Sequence, residues 1–175
     1  MCKKIIIIGG GIGGTIVANG LCNILGPEIA ERKISISMLS ATDKHFYQPG
    51  FFYLPFGKFS ESNLYRNQKE VLDDRIDFKV DPVKKIDIQD QAITTESGRV
   101  HEYDYLVIAT GSRIRPDMIP GMRESAHWFY DLDGARRLRE ALEEQEWSLV
   151  EEVLNTLLET EKYIIKIFYN RKFSD

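Results

Sequence analysis

The chain has few cysteines and histidines, and this scarcity limits the metal and disulfide chemistry that it can carry. Its 175 residues include two cysteines, Cys2 and Cys22, and three histidines. The cysteines form neither a CxxC pair nor a zinc spacing, and His45, His101 and His127 are scattered, so we expect no metal site. Cys22 lies in an apolar helical pattern, where a buried, unreactive thiol is expected.

An excess of positive charge and long apolar runs are also missing. The chain has 23 basic and 27 acidic residues, a net charge of −4, which argues against nucleic acid as a partner. No apolar run reaches the roughly 18 residues that cross a bilayer. The four isoleucines near the start are too short a run for a secretory signal, so we expect a cytoplasmic protein. The length suits one domain.

Glycine, by contrast, is concentrated in the stretch "IIIIGGGIGGT". Gly9, Gly11 and Gly14 satisfy GxGxxG between a predicted strand, Lys3–Ile8, and a predicted helix, Ile12–Leu25. In this motif the first glycine permits a tight turn, the second lets the main chain approach a pyrophosphate, and the third lets the helix pack closely on the strand. The helix start adds unpaired N–H groups and partial positive charge. The order of elements predicts dinucleotide binding, with a purely structural turn as the alternative.

A second strand, Lys33–Leu39, follows the helix, which we expect Gly26-Pro27 to end. The strand, helix and strand form a right-handed parallel crossover unit. An acidic residue usually ends the second strand and binds the ribose hydroxyls. Here Ser40 stands at that place, with Asp43 three residues further on. A neutral hydroxyl is expected to bind the ribose more weakly than a carboxylate does.

The segment Ser40–Ser60 has no clean period and contains seven aromatic residues, and a long irregular segment of this kind is usually functional. Beyond it, Glu61–Asp74 is predicted as a helix and Ile76–Val80 as a strand. Three short antiparallel strands follow, with a turn at residues 96–99, and Tyr105–Ala109 is predicted as a buried strand.

The end of that last strand, in "YDYLVIATGSRIRP", has the small residues Ala109, Thr110 and Gly111. Such residues let the main chain lie close to a ligand at the strand ends, although an ordinary strand-to-loop turn would fit too. An amphipathic helix is predicted over Asp133–Glu146. Residues 147–175 begin with a helical pattern, and Tyr163–Tyr169 fits either a strand or a continuing helix.

The stretches "IIIIGGGIGG" and "YDYLVIATGSRIRPDMIPG", with the meander between them, resemble the flavoproteins of the pyridine-nucleotide-disulfide oxidoreductase superfamily. The segment "LSATDKHFYQPGFFYLPFG" is most similar to sulfide:quinone oxidoreductases. The resemblance implies an α/β fold: a Rossmann-like parallel sheet in three layers with a small antiparallel β-meander insert. It also implies a domain over residues 1–146 that binds FAD, followed by a divergent tail over residues 147–175.

The resemblance also implies a set of residues that bind FAD. The pyrophosphate would lie on the glycine loop, the adenosine ribose and adenine against two strand ends, and the flavin against the third strand end and the aromatic segment. The pyrophosphate residues would be Gly9, Gly11, Ile12, Gly13 and Gly14. The adenosine ribose would contact Ser40 and Ala41, and the adenine would contact Val80. The residues beside the flavin would be Ala109, Thr110, Gly111, Gln48, Pro49 and Gly50. Phe46, Tyr47, Phe51, Phe52 and Tyr53 would line the flavin pocket or form ordinary core. Lys44 and His45 are expected to be solvated loop residues.

The chain departs from this family in length and in cysteine content. Relatives are more than twice as long, continue into a second nucleotide-binding domain and, where they oxidise sulfide, use cysteines beside the flavin. This chain has no second GxGxxG and no cysteine after Cys22, so sulfide oxidation by this chain alone is not expected. Catalytic residues therefore remain unassigned.

Two functions follow from this departure. The chain is a shortened FAD-binding domain that transfers electrons with a partner or is inactive alone, or it is a non-catalytic remnant that binds nucleotide or proteins. A missing lobe would expose apolar surface around Phe51–Phe59 and around the last strand. A homo-oligomer or a second polypeptide would cover that surface, with the 147–175 tail as a further candidate, and the resemblance also allows peripheral membrane contact.

Overall fold

The computed structural model describes residues 2–144, which form an α/β fold with three sheets. The helices are α1 (Ile12–Ile24), α2 (Gly26–Ala30), α3 (Met122–Ser125) and α4 (Leu132–Glu144). The strands are β1 (Lys3–Ile8), β2 (Ile34–Ser40), β3 (Lys44–Phe46), β4 (Tyr65–Asn67), β5 (Asp77–Val80), β6 (Val83–Asp87), β7 (Ala92–Thr95), β8 (Val100–Glu102) and β9 (Tyr105–Ile108).

The central sheet is parallel, with the strand order β5-β2-β1-β9. Its middle strand, β1, is buried on both faces because its isoleucines alternate between two layers. Ile5 and Ile7 pack with Ala18 and Cys22 of α1, whereas Ile6 and Ile8 pack with residues of the opposite layer. The continuous isoleucine run is therefore explained by a strand that is covered on each side.

The opposite layer is the predicted meander, in which β6, β7 and β8 pair antiparallel in sequence order. Its buried Ile93 joins the cluster on that face of the central sheet. The turn between β7 and β8 contains Gly98 at φ +83°, a conformation that glycine adopts without steric cost. Helix, parallel sheet and meander thus form the three layers that the family resemblance implies.

The predicted helix over Glu61–Asp74 is wrong. The segment instead contains a 3₁₀ turn at Glu61–Asn63, the strand β4, and a second 3₁₀ turn at Gln68–Glu70. Ser60 and Asn63 close a capping box around the first turn, and β4 then pairs antiparallel with β3. Pairing with a distant strand outweighed the local helical propensity, which is a weak determinant in short segments.

The prediction that the last strand is buried is also wrong. Strand β9 pairs with β1 alone among the described strands, so it is an edge of this sheet. Tyr105 and Ile108 are 60% and 61% exposed. An apolar run shows that a strand prefers burial, but it does not show how many neighbours the strand has within a given chain.

Helices α1 and α4 begin within one residue of their predicted starts, whereas the short helices α2 and α3 were not predicted. Helix α1 ends at Ile24, and Pro27 lies in the first turn of the short α2, where its missing N–H is tolerated. Helix α4 is described to Glu144, so the predicted end at Glu146 and the predicted tail at 147–175 lie outside the described residues. Within residues 2–144 no helix has the length and apolar character needed to cross a membrane.

Candidate functional site

A cleft of about 1000 Å³ opens at the carboxyl ends of β1, β2 and β9. Its walls include the loop after β1, the residues after β2 and the residues after β9, at 9–13, 40–42 and 109–113. The chain runs from β1 to β2 on one side and returns to β9 on the other. Ligands of open α/β sheets bind at such a switch point, outside the carboxyl ends of the strands.

The three motif glycines have three different surroundings. Gly9 has φ +106°, and a Cβ there would collide with the carbonyl oxygen of Ala109. A Cβ at Gly14 would collide with the carbonyl oxygen of Gly9, so this glycine allows α1 to pack against the loop. A Cβ at Gly11 would meet nothing within 4 Å. The space beside Gly11 is therefore open to the cleft rather than used for packing.

The start of α1 carries the positive end of the helix dipole without neutralisation. Gly11 is its N-cap residue, no side chain caps the first turn, and the first turn contains no acidic residue. The first N–H groups of a helix have no partner within the helix, and together with the dipole they favour an anion. Gly11, Ile12 and Gly13 all line the cleft.

At the second wall, Ser40 lies beneath the glycine loop. Its side chain is buried, its Oγ accepts a hydrogen bond from the Thr42 N–H at 3.4 Å, and a Cβ at Gly10 would lie 2.9 Å from that Oγ. Ala41 is exposed beside it in the cleft. Val80 pairs with Ser40 at the end of β5 and is half-exposed. Val80 does not line the cleft, whereas Pro82, two residues further on, does.

The third wall contains Ala109, Thr110 and Gly111, as predicted, and Gly111 adopts φ +71°. Gln48 faces them from the aromatic segment, and its Nε2 donates to the Tyr130 carbonyl at 3.1 Å.

Pro49, Gly50 and Gly14 are not part of the cleft wall. Gly50 is buried, and a Cβ there would lie 2.5 Å from Leu64 Cδ2 and 2.9 Å from Tyr47 Cδ1. Gly50 therefore allows the 3₁₀ turn that holds Gln48 to pack closely. Its contribution to the site is indirect.

Sequence reasoning missed two groups of cleft residues. Four cationic side chains, from Lys44, Lys84, Lys85 and Arg113, line the cleft, and they suit a ligand that carries phosphates. The start of α4 also lines it, through residues 130–132. These residues come from separate loops, so no spacing along the chain identified them.

Tyr130, in that second group, shares a hydrogen bond with Ser112 from the loop after β9. This bond, together with Gln48, lowers the pKa of the Tyr130 phenol. Asp131 is the N-terminal cap of α4, because its Oδ1 accepts the Gly134 N–H at 2.7 Å. The start of α4 is thus held in place at the cleft by hydrogen bonds.

The expectation that His45 is solvated is wrong. His45 is half-buried, and its Nδ1 lies 3.1 Å from the Gly10 carbonyl oxygen and 3.2 Å from Gln68 Oε1. The pairing of β3 with β4 places the His45 imidazole beside the glycine loop. Lys44 is exposed, as expected, with its ammonium 4.2 Å from the centre of the Tyr65 ring.

The aromatic segment divides into buried and exposed halves. Phe51 is buried and lines the cleft, whereas four neighbouring rings are about half-exposed. Ring centroids within this cluster lie 5.2 to 5.8 Å apart. We define the aromatic cluster as Phe52, Tyr53, Phe56 and Phe129. The apolar surface that the sequence predicted here is therefore present.

The chain is similar to known oxidoreductases over most of its length. Residues 3–154 match the family described as pyridine nucleotide-disulphide oxidoreductase, and the match extends beyond the predicted domain boundary at 146. The mitochondrial sulfide:quinone oxidoreductase of Dictyostelium discoideum is 30% identical over 70% of this chain and 26% of its own length. A type II NADH:quinone oxidoreductase of Staphylococcus epidermidis is 28% identical over 82% of this chain and 35% of its own.

A solved structure shows the same relation. The sulfide:quinone oxidoreductase from the hyperthermophilic bacterium Aquifex aeolicus superposes with a TM-score of 0.71 at 26% identity. The superposition covers 82% of this chain and 32% of that one. The chain thus spans about a quarter to a third of the length of the relatives that it matches.

Proposed function

Because the chain belongs to the pyridine nucleotide-disulphide oxidoreductase family, we propose that its cleft binds FAD and that it is the FAD-binding part of a sulfide:quinone oxidoreductase-like flavoprotein. The observation that carries this proposal is the open space at Gly11, beside an uncapped helix start, at the switch point of a parallel sheet. A diphosphate needs main-chain N–H groups that it can approach closely, and glycine provides that access.

The residues present fit a ligand of this size and charge. The cleft volume of about 1000 Å³ lies at the upper end of the range for small-molecule sites. Four cationic residues line the cleft, of which Lys85 is paired with Asp87 at 2.9 Å, and the one acidic residue in its lining, Asp131, caps α4. An elongated dinucleotide with a negatively charged centre matches both features.

We assign the predicted residues to parts of this ligand. The pyrophosphate would bind at Gly9, Gly11, Ile12 and Gly13, with Gly14 holding α1 against the loop. The adenosine would lie near Ser40, Ala41 and Val80, with the Ala41 main chain better exposed than the buried Ser40 hydroxyl. The flavin would lie between Ala109–Gly111 and Gln48, with Pro49 and Gly50 shaping the turn behind Gln48.

When bound, FAD would supply the redox chemistry, and the chain would bind and orient it. The walls of the flavin end are contributed by elements that other contacts hold in place, namely the 3₁₀ turn at Gln48–Phe52 and the start of α4. The hydrogen bond from Gln48 to the Tyr130 carbonyl joins these two walls. This hydrogen bond would limit the movement of the flavin ring between the two walls.

A partner would complete the redox function. The chain spans about a quarter of the matched curated relative from Dictyostelium, and its aromatic cluster is exposed. A second polypeptide, or a second copy of this chain, would cover that cluster and supply the electron donor or acceptor site. Peripheral contact with a membrane and a cytoplasmic location remain predictions from the sequence.

A non-catalytic module that binds nucleotide or protein is the alternative function. The observation that favours it is the position of the thiols: Cys2 precedes β1, Cys22 is fully buried in α1, and neither lines the cleft. A thiolate that attacks or holds sulfur must reach the cofactor. The chain alone therefore offers no thiol for sulfide chemistry at this site.

The visible spectrum of the purified full chain, after incubation with FAD and removal of free ligand, tests the proposal. We expect bound flavin absorption for the wild type and for Gly20→Leu, and none for Gly11→Leu. Gly20 is a matched control because, as at Gly11, a Cβ there would meet nothing within 4 Å. Since the Cβ of neither substitution would collide with the free protein, we expect both variants to fold.

Two results would overturn the proposal in different ways. A wild-type chain that stays colourless with excess FAD would favour the non-catalytic module. Flavin binding that survives in Gly11→Leu would show that the diphosphate lies elsewhere.

A further inference from the structure

Three polar side chains from distant parts of the chain meet behind the glycine loop. Thr15 lies in the first turns of α1, His45 in β3, and Gln68 follows β4. Gln68 is 0% exposed and Thr15 is buried. We call these three residues the loop clamp, because all of them surround the main chain at Gly10.

The hydrogen bonds of the loop clamp converge on one carbonyl group. The Thr15 hydroxyl donates to the Gly10 oxygen at 3.3 Å, and His45 Nδ1 lies 3.1 Å from the same oxygen. Gln68 Nε2 donates to Thr15 Oγ1 at 2.8 Å. Two of the three neighbours of His45 Nδ1, the Gly10 oxygen and Gln68 Oε1, only accept, so we place a hydrogen on Nδ1; the third, the Thr15 hydroxyl, lies 3.4 Å away.

This arrangement determines the orientation of a single peptide plane. A trans peptide is planar, so its C=O and N–H point in opposite directions. The loop clamp holds the Gly10 C=O inward, and the N–H of Gly11 must then point outward, on the side where Gly11 lines the cleft. A glycine pair without such restraint would sample several peptide orientations, since glycine is conformationally permissive.

We infer that Thr15, His45 and Gln68 are positioning residues, which preorient the Gly11 N–H toward the diphosphate of the ligand. The inference rests on the proposed function for the identity of that ligand. The aromatic segment would then contribute to both ends of the cleft. His45 anchors β3 to the glycine loop, and Gln48, three residues later, lines the flavin end. The loop clamp would thereby join the phosphate end and the flavin end of the cleft.

Matched substitutions in the full chain separate positioning from packing. Thr15→Val removes the hydroxyl at nearly constant volume, and Thr15→Ser retains it. His45→Leu removes the ring N–H, and His45→Asn keeps an amide N–H near the position of Nδ1. For each variant we would measure the dissociation constant of FAD, the melting temperature without ligand, and the amide resonance of Gly11 in the ligand-free protein.

We expect Thr15→Val and His45→Leu to weaken FAD binding about five- to ten-fold, the loss of one oriented hydrogen bond. We also expect them to shift or broaden the Gly11 amide resonance. Thr15→Ser and His45→Asn should restore both towards the wild type. A lower melting temperature with unchanged FAD affinity and an unchanged Gly11 resonance would show a structural role only and would overturn the inference.

The amide readout keeps the inference separable from the proposed function. If the wild type does not bind FAD, the proposed function fails, while the Gly11 resonance still reports on the peptide plane. An unchanged resonance in both Thr15→Val and His45→Leu would then overturn the loop clamp independently. If His45→Leu does not fold, the Thr15 pair decides the question alone.

Discussion

At the scale of single residues, the two cysteines illustrate how burial controls reactivity. Cys2 is exposed, whereas Cys22 is fully buried against the central sheet, and burial raises the pKa of the Cys22 thiol. A raised pKa leaves less thiolate, the reactive form, at neutral pH.

We predict that a chromogenic thiol reagent modifies one cysteine of the native chain rapidly and the second only in denaturant. The kinetics of colour release at neutral pH measure both phases. Cys2→Ser is the control and should remove the rapid phase alone. Rapid reaction of two thiols in the native chain would contradict the burial of Cys22.

The glycines of the motif are not equivalent, and stability measurements on the ligand-free protein should separate them. A Cβ at Gly14 would collide with the Gly9 carbonyl oxygen, whereas a Cβ at Gly13 would meet its nearest atom, Ala109 Cβ, at 4.0 Å. We predict that Gly14→Ala lowers the free energy of unfolding by about 1–3 kcal/mol, the cost of overpacking. Gly13→Ala should leave it unchanged or raise it by up to about 1 kcal/mol, because alanine favours a helix over glycine. Urea denaturation measures both, and equal effects would contradict the close packing of α1 on the loop.

At the scale of elements, one ion pair joins α4 to the 3₁₀ turn at Glu61–Asn63, which follows the aromatic segment. Arg136 Nε donates to Glu61 Oε1 at 2.6 Å, and a second guanidinium nitrogen donates to Glu61 Oε2. This two-point contact is a strong form of ion pair. It lowers the pKa of Glu61 below its ordinary value of 4.5.

We predict that Arg136→Met accelerates amide hydrogen exchange in α4 at neutral pH, while Arg139→Met has a smaller effect. Arg139 is the matched control, since its bond to Glu143 at 2.8 Å stays within the helix. Because the pKa of Glu61 is lowered on folding, the stabilisation is complete above pH 4.5 and is lost as the pH falls through the lowered value. The difference in the amide exchange protection of α4 between Arg136→Met and the wild type should therefore become smaller at acidic pH. A difference that is independent of pH would rule out this ion pair as its cause.

At the scale of the whole molecule, the exposed aromatic cluster is the surface feature with the clearest consequence. The ring centroids of Phe52 and Phe129 lie 5.2 Å apart, and both side chains are about half-exposed. Adjacent exposed rings of this kind mark association surfaces.

We predict that the purified chain self-associates with increasing concentration and that Phe52→Ser with Phe129→Ser reduces this association. Sedimentation velocity over a range of concentrations measures it. Ile88→Ser is the control, because Ile88 is a strongly exposed apolar residue outside the cluster. A wild-type chain that stays monomeric throughout, or an equal effect of Ile88→Ser, would argue against the cluster as an interface.

Much of the fold was predictable because its signals are local. The isoleucine run, the glycines and the apolar period of α1 are consecutive, so the strand–helix–strand unit and the binding loop could be read directly. The meander was predictable for the same reason. Glu61–Asp74 was not, since pairing of β4 with β3 and burial of Gln68 depend on residues about twenty positions earlier.

The candidate site shows the same division. Ten of the fourteen predicted binding residues line one cleft, and all but Gln48 do so because they follow strands whose carboxyl ends share one edge of the parallel sheet. The cationic residues and the start of α4 were missed, since their approach to the cleft depends on loop paths rather than on strand order. The burial of Ser40 was missed because it depends on the glycine loop that packs beside it in the folded chain.

By itself, the sequence determined the strand–helix–strand unit and the place where a diphosphate could meet bare main chain, because glycine spacing and hydrophobic period are properties of neighbouring residues. Only the tertiary structure decided that Thr15 and His45 meet at the Gly10 carbonyl, with Gln68 hydrogen-bonded to Thr15 behind them, and that β9 is an edge of the described sheet. Both depend on contacts between residues far apart in the chain, and such contacts exist only once the layers have packed.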